Sequence, residues 1–95
     1  MADNKHIATI EFAKIVKYPM STEKSLKLAE AENKLIFIVD LRARKAQIKK
    51  VIEDYFNAKV TGVNTFITNK GLKKAFVTFS KETPAIDIAT NLGML

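Results

Sequence analysis

The run Leu35–Ile36–Phe37–Ile38–Val39 restricts the fold of this chain more than any other feature. Successive strand side chains point to opposite faces, so a strand apolar at every position must be covered on both. The run is short for a buried helix and far too short to span a membrane. A strand over Lys34 to Asp40 therefore belongs inside a sheet, and the rest of the chain must supply its neighbours and its cover.

The flanking segments can do so. Lys14 to Lys17 reads as a short strand ended by Pro19, which has no N–H for a ladder. Ser21 or Thr22 can cap a helix running to about Ala31, with Glu23 in its first turn where an anion is favoured. Ile48, Val51, Ile52, Tyr55 and Phe56 fall at helical spacing and form one apolar stripe. Val60 to Thr68 and Lys74 to Ser80 are rich in β-branched and aromatic residues around Asn69–Lys70–Gly71, a hairpin signal. Thr83 as N-cap and Pro84 at the first helical position open a last helix, which Gly93 can end.

The order is strand, helix, strand, helix, strand, strand, helix. A helix joins the second and third strands, which predicts that they run parallel, and the hairpin partner inserts between them. The expected fold is α+β: a split β-α-β, antiparallel or mixed four-stranded sheet with helices packed against it. In this arrangement the exit of the second strand (Arg42, Arg44, Lys45) and the hairpin tip (Asn69 to Lys74) share one end of the sheet.

Charge gives that convergence its meaning. The 95 residues carry a net +6, unevenly placed. No acid stands between Asp54 and Glu82, where Lys59, Lys70, Lys73, Lys74 and Lys81 occur, nor among Arg42, Arg44, Lys45, Lys49 and Lys50. Charges present only for solubility usually mix their signs. Acid-free basic stretches meeting at one surface suit a phosphate backbone, although each lysine alone also serves as a solvated hairpin charge. Phe66 and Phe76 are read as core cover rather than as base-stacking platforms, since the glycine- and aromatic-rich motif of RNA-recognition modules is missing.

Catalytic equipment is sparse. There is no cysteine, and the only histidine, His6, lies in a polar N-terminal stretch. Ordinary metal sites, disulfides, and Ser-His or Cys-His pairs are excluded, and no cofactor is called for. Glu53 and Asp54 fall on the solvated side of their helix, and no phosphate-cradling glycine motif is present. Small basic split β-α-β proteins include acylphosphatases, but that family's glycine-rich, arginine-bearing loop has no counterpart here. A binding protein for RNA is expected, with a free RNA-binding regulator and a small acylphosphatase-like enzyme as alternatives. Met1 to Lys5 lacks the apolar centre of a secretion signal, so a cytoplasmic chain without membrane insertion is expected.

Four motifs then align with one family. Lys17–Tyr18–Pro19–Met20–Ser21–Thr22–Glu23–Lys24 resembles the K-x-P-x-x-T-E-K opening of ribosomal large-subunit protein twenty-three, of the archaeal type with its short hairpin tip. Arg42 to Lys49 is similar to its R-A-x-K-x-x-I-K helix start, Val63–Asn64–Thr65 to its V-N-T strand, and Lys73 to Val77 to its K-K-A-[YF]-V strand. The motifs keep the family's order and cover nearly everything after Phe12. The resemblance implies a structural protein bound to large-subunit rRNA at the rim of the polypeptide exit tunnel. It implies neighbouring ribosomal proteins as partners, and transient docking of signal recognition particle or nascent-chain factors. By position, Lys17, Tyr18, Thr22, Lys24, Arg42, Arg44, Lys45, Asn64, Thr65, Lys73 and Lys74 become candidates for rRNA contact, joined by Lys70 from the hairpin tip. Glu23 is a poor phosphate partner; it faces a docking factor or serves as a helix N-terminal charge. Arg44 stands where the family often has a small polar capping residue, so either the cap shifts or Arg44 serves RNA. Phe79 replaces a usual Leu, a change of packing only. Residues 1–12 are expected to form an N-terminal tail open to mobility, and residues 13–95 a single rRNA-binding domain.

Overall fold

The computed structural model describes residues 3–93, and side chains from Thr9 onward. Its elements are α1 (Asp3–Ile15), β1 (Val16–Pro19), α2 (Glu23–Glu32), β2 (Lys34–Val39), α3 (Lys45–Phe56), β3 (Val60–Ile67), β4 (Lys73–Phe79) and α4 (Ala85–Asn91). The sheet order is β1-β2-β4-β3, and every adjacent pair is antiparallel. β2 and β3 therefore run parallel with β4 between them, the split β-α-β arrangement, and the sheet is antiparallel throughout rather than mixed.

The apolar run occupies β2, and Leu35, Ile36, Phe37, Ile38 and Val39 are all buried. Its alternate side chains enter different environments. Leu35, Phe37 and Val39, with Ala75, Val77 and Phe79 of β4, join Ile48, Val51 and Ile52 of α3, Ala85, Ile88 and Ala89 of α4, and Ala29 of α2 in one core. Ile36 and Ile38 point to the second face of the sheet, opposite Phe76 and Lys74.

The helix ends explain how these elements stay in place. Thr22 caps α2: its Oγ1 accepts from the Ser25 N–H at 3.1 Å, and Ser25 Oγ accepts from the Thr22 N–H at 2.9 Å. Asn33 ends α2 at a left-handed φ of 56°, which asparagine tolerates better than most residues. Its Nδ2 then donates to the carbonyls of Phe79 (3.0 Å), Ser80 (2.9 Å) and Thr83 (3.1 Å). Its Oδ1 accepts from the Ala85 N–H at 2.6 Å. α4 is thus capped from across the fold, with Pro84 in the N-cap position instead of the expected Thr83.

Two further features differ from the sequence expectation. β1 begins at Val16, not Lys14, because α1 continues to Ile15. Read from the sequence, residues 1–12 form a tail and Lys14 to Lys17 a strand, and no helix is expected there. Phe12 nevertheless stacks on Tyr55 of α3 with centroids 4.1 Å apart and meets Phe56 edge-on at 5.5 Å. Tyr55, expected in the buried stripe, is 39% exposed and lies under α1 rather than in the core. The side chain of His6 lies outside the described residues.

Candidate nucleic-acid interface

Strand register settles which basic residues share a surface. Val39 and Ile67 both pair with Lys73, and Ile38 and Phe66 both pair with Lys74. The β2 exit and the hairpin do meet at one end of the sheet. Lys73 and Lys74 are consecutive strand residues, however, and face opposite sides.

Lys73 lies on the core side, where its ammonium donates to the Ala43 carbonyl at 2.6 Å and reaches the Leu41 carbonyl at 3.5 Å. It fastens the β2–α3 loop to the hairpin, which occupies much of its capacity to meet a phosphate. That loop and the first residue of α3 present Arg42, Arg44 and Lys45, all exposed. Arg44 takes the N-cap position of α3, but a guanidinium has no acceptor atom; Gln47 Oε1 instead accepts the Arg44 N–H at 2.9 Å. The Arg44 side chain is left for the solvent side. Asp40 tempers the loop's charge: its Oδ1 accepts from the Arg42 N–H at 2.8 Å and lies 3.6 Å from the Arg42 guanidinium. The backbone N–H of Arg42, then the charges of Arg42 and Lys17, hold the Asp40 carboxyl below its ordinary value of 3.8.

The second face collects the other candidates. One row across the sheet reads Tyr18, Ile38, Lys74, Phe66, and the next Ile36, Phe76, Asn64. Two grooves cross this face. One, of about 410 Å³, runs from Tyr18 past Met20, Ile38 and Lys74 to Lys70 and Leu72 of the hairpin. The other, of about 190 Å³, lies between Thr22 and Lys24 on one side and Lys74 and Phe76 on the other. No acid lines either groove, while three lysines do.

The remaining candidates separate from this set. Thr65 pairs with Ala75 and so faces the core side, away from its neighbour Asn64. Lys17 is exposed on β1 near Asp40. Glu23 is exposed on the first turn of α2, in a loose 3.7 Å pair with Lys27 that carries little energy at such exposure. Phe66 corrects the core-cover expectation: β3 is an edge strand, and Phe66 is 59% exposed. Met20 and Leu72 complete the larger groove, and no sequence pattern singles them out; they meet because β1 pairs with the outer side of β2, a placement the element order alone does not give. Among the described residues no cluster of acids and histidine fit to hold a metal occurs, and no helix is long and apolar enough to cross a membrane.

An α+β sheet bearing acid-free grooves edged by lysines suits a polyanionic partner. Comparison with known proteins makes this specific. The profile of the family Ribosomal protein L23 matches residues 14–88. The large ribosomal subunit protein uL23 of Methanococcus maripaludis strain C7 is 44% identical over 80 residues, covering 84% of this chain and 93% of that protein. Its counterpart from Methanococcus aeolicus is 41% identical over the same span and coverage. The chain belongs to the ribosomal protein L23 family and resembles its archaeal members. Its role is structural and non-enzymatic, which removes the acylphosphatase-like alternative.

Proposed function

We propose that the chain is built into the large ribosomal subunit by binding rRNA near the polypeptide exit tunnel, beside neighbouring ribosomal proteins. The observation that carries this reading is the pair of acid-free grooves on the second face, edged by Lys24, Lys70 and Lys74. The exposed cations Arg42, Arg44 and Lys45 lie around the corner at the same end of the sheet. Lysines and arginines neutralise phosphates, and Asn64 and Thr22 fix position by hydrogen bonds. The motif resemblance supports the exit-tunnel location.

Affinity for a large-subunit rRNA fragment is expected to fall steeply between low and high salt, because each neutralised phosphate releases counterions. Lys74→Ala should lower both the affinity and the slope of log affinity against log salt, by about 0.7–0.9 for each phosphate no longer neutralised. Salt-independent binding refutes the reading. Sedimentation after gentle lysis separates it from a free regulator, since a ribosomal component pellets with large subunits.

The exposed Glu23 at the head of α2 supports a finer reading, in which signal recognition particle or a nascent-chain factor docks there transiently. Large subunits carrying Glu23→Ala should then bind such a factor more weakly while assembling normally; unchanged factor affinity removes Glu23 from that role.

A further inference from the structure

The second face carries exposed aromatic rings where a surface meant only for phosphates would need none. Tyr18 is 50% exposed and Phe66 59% exposed, and the pairing places them in one row with Lys74 between. Three inter-strand steps separate their positions, about 14 Å at the usual strand spacing. Asn64 stands two residues from Phe66 on the same face, and Lys70 edges the groove beside Tyr18.

Rigid duplex RNA cannot use such a surface well. Its bases are stacked on each other, and it is gripped mainly through phosphates and 2′-hydroxyls. An unpaired segment exposes base faces, and these stack on aromatic side chains whatever their sequence. We infer that this face takes unpaired nucleotides of RNA, one base stacking on Tyr18 in the groove and another on Phe66, with the linking phosphates held by Lys74 and Lys70. The Asn64 amide then reaches the edge of the base on Phe66. The occupant is fixed by charge as well as by the rings: the residues around the groove are apolar, neutral or positive, which suits a polyanion with apolar faces. The inference rests on the rRNA-binding reading and adds the kind of RNA that is bound.

Tyrosine emission tests it directly, because the chain has no tryptophan and only two tyrosines. A Tyr55→Phe background leaves Tyr18 as the sole emitter and keeps the stack on Phe12. The full chain is titrated at low salt with a twelve-nucleotide unpaired RNA and with a duplex of equal length. Unpaired RNA should quench the emission at saturation, and the duplex should not. Tyr18→Leu should weaken unpaired-RNA binding about tenfold, within the range for losing one stacked base, and Tyr18→Phe should restore it. Both substitutions are at an exposed position, and far-UV circular dichroism confirms the fold. RNA binding without quenching, or equal binding by the Leu and Phe variants, overturns this inference while leaving rRNA binding intact. Failure of the unsubstituted chain to bind either RNA overturns both.

Discussion

Replacing Asn33 removes a junction rather than a single hydrogen bond, because its amide joins segments that are far apart in the chain. Nδ2 has two hydrogens facing the carbonyls of Phe79, Ser80 and Thr83 at 3.0, 2.9 and 3.1 Å, so at least one is shared. Oδ1 takes the first N–H of α4 at 2.6 Å. Net of water, three such pairings contribute about 0.5–1.5 kcal/mol each, and alanine at a φ of 56° adds about 1–2 kcal/mol of strain. The site is half-buried, so water re-pairs part of the freed groups, and the lower end, about 3 kcal/mol, is the expected cost of Asn33→Ala. That is a large part of the roughly 5–15 kcal/mol that holds such a domain, and corresponds to a Tm fall of about 12–24 °C. Asn33→Gly relieves the strain and should be the milder variant. Asn33→Asp keeps the acceptor for α4 but turns a carboxylate toward three carbonyls; it should be at least as unstable as the glycine variant at pH 7. It should recover partly on acidification, as protonation restores one donor. Urea unfolding followed by far-UV circular dichroism measures all three, with an unchanged m-value as the check on two-state behaviour. An alanine variant within about 1 kcal/mol of the parent, or an aspartate variant as stable as it, would refute this account of the junction.

Lys73 and Lys74 should separate cleanly. Lys73→Ala frees the Ala43 carbonyl and should lower stability by about 1–2 kcal/mol in urea titration, whereas Lys74→Ala should leave stability nearly unchanged and weaken RNA binding. Phe12→Ala should cost about 1–3 kcal/mol by uncovering Tyr55 and Phe56, read as a Tm fall and a change in near-ultraviolet tyrosine dichroism. Asp40 ionises more readily folded than unfolded, so its contribution is present above an ordinary carboxyl value and lost as pH falls through the lower folded one. Asp40→Asn should therefore flatten the stability curve below about pH 4 relative to the parent, and two superimposable curves would contradict this.

The residues behind these predictions differ in how far the sequence conveys them. The β2 run, the stripe on α3 and the hairpin turn are legible because each is a local pattern with a fixed period. Asn33 illustrates the opposite case. Its place after a helix hints at a left-handed cap, but its partners lie some fifty residues away, and no local signal names them. The interface is legible in composition and misleading in detail. Lys73 and Lys74 look like a pair until strand alternation sends one to fasten a loop and the other to the second face. Phe66 reads as core in any strand pattern; only its position on the outermost strand exposes it. Among the described residues, α1 meets the rest of the fold through Phe12 and Ile15, too few positions to announce themselves as a periodic stripe.

The outer edge of β3 has one more consequence, which concerns the free chain rather than its binding. A terminal strand carries backbone donors and acceptors with no sheet neighbour, and here it ends in Phe66 and Ile67, both more than half exposed. Such an edge is a template for another copy. The register shift between Val60 and Gly62 and the charge of Lys59 and Lys70 blunt it without removing it. Free chain is therefore expected to self-associate more readily as its concentration rises, a tendency that incorporation into a subunit would relieve by covering this edge.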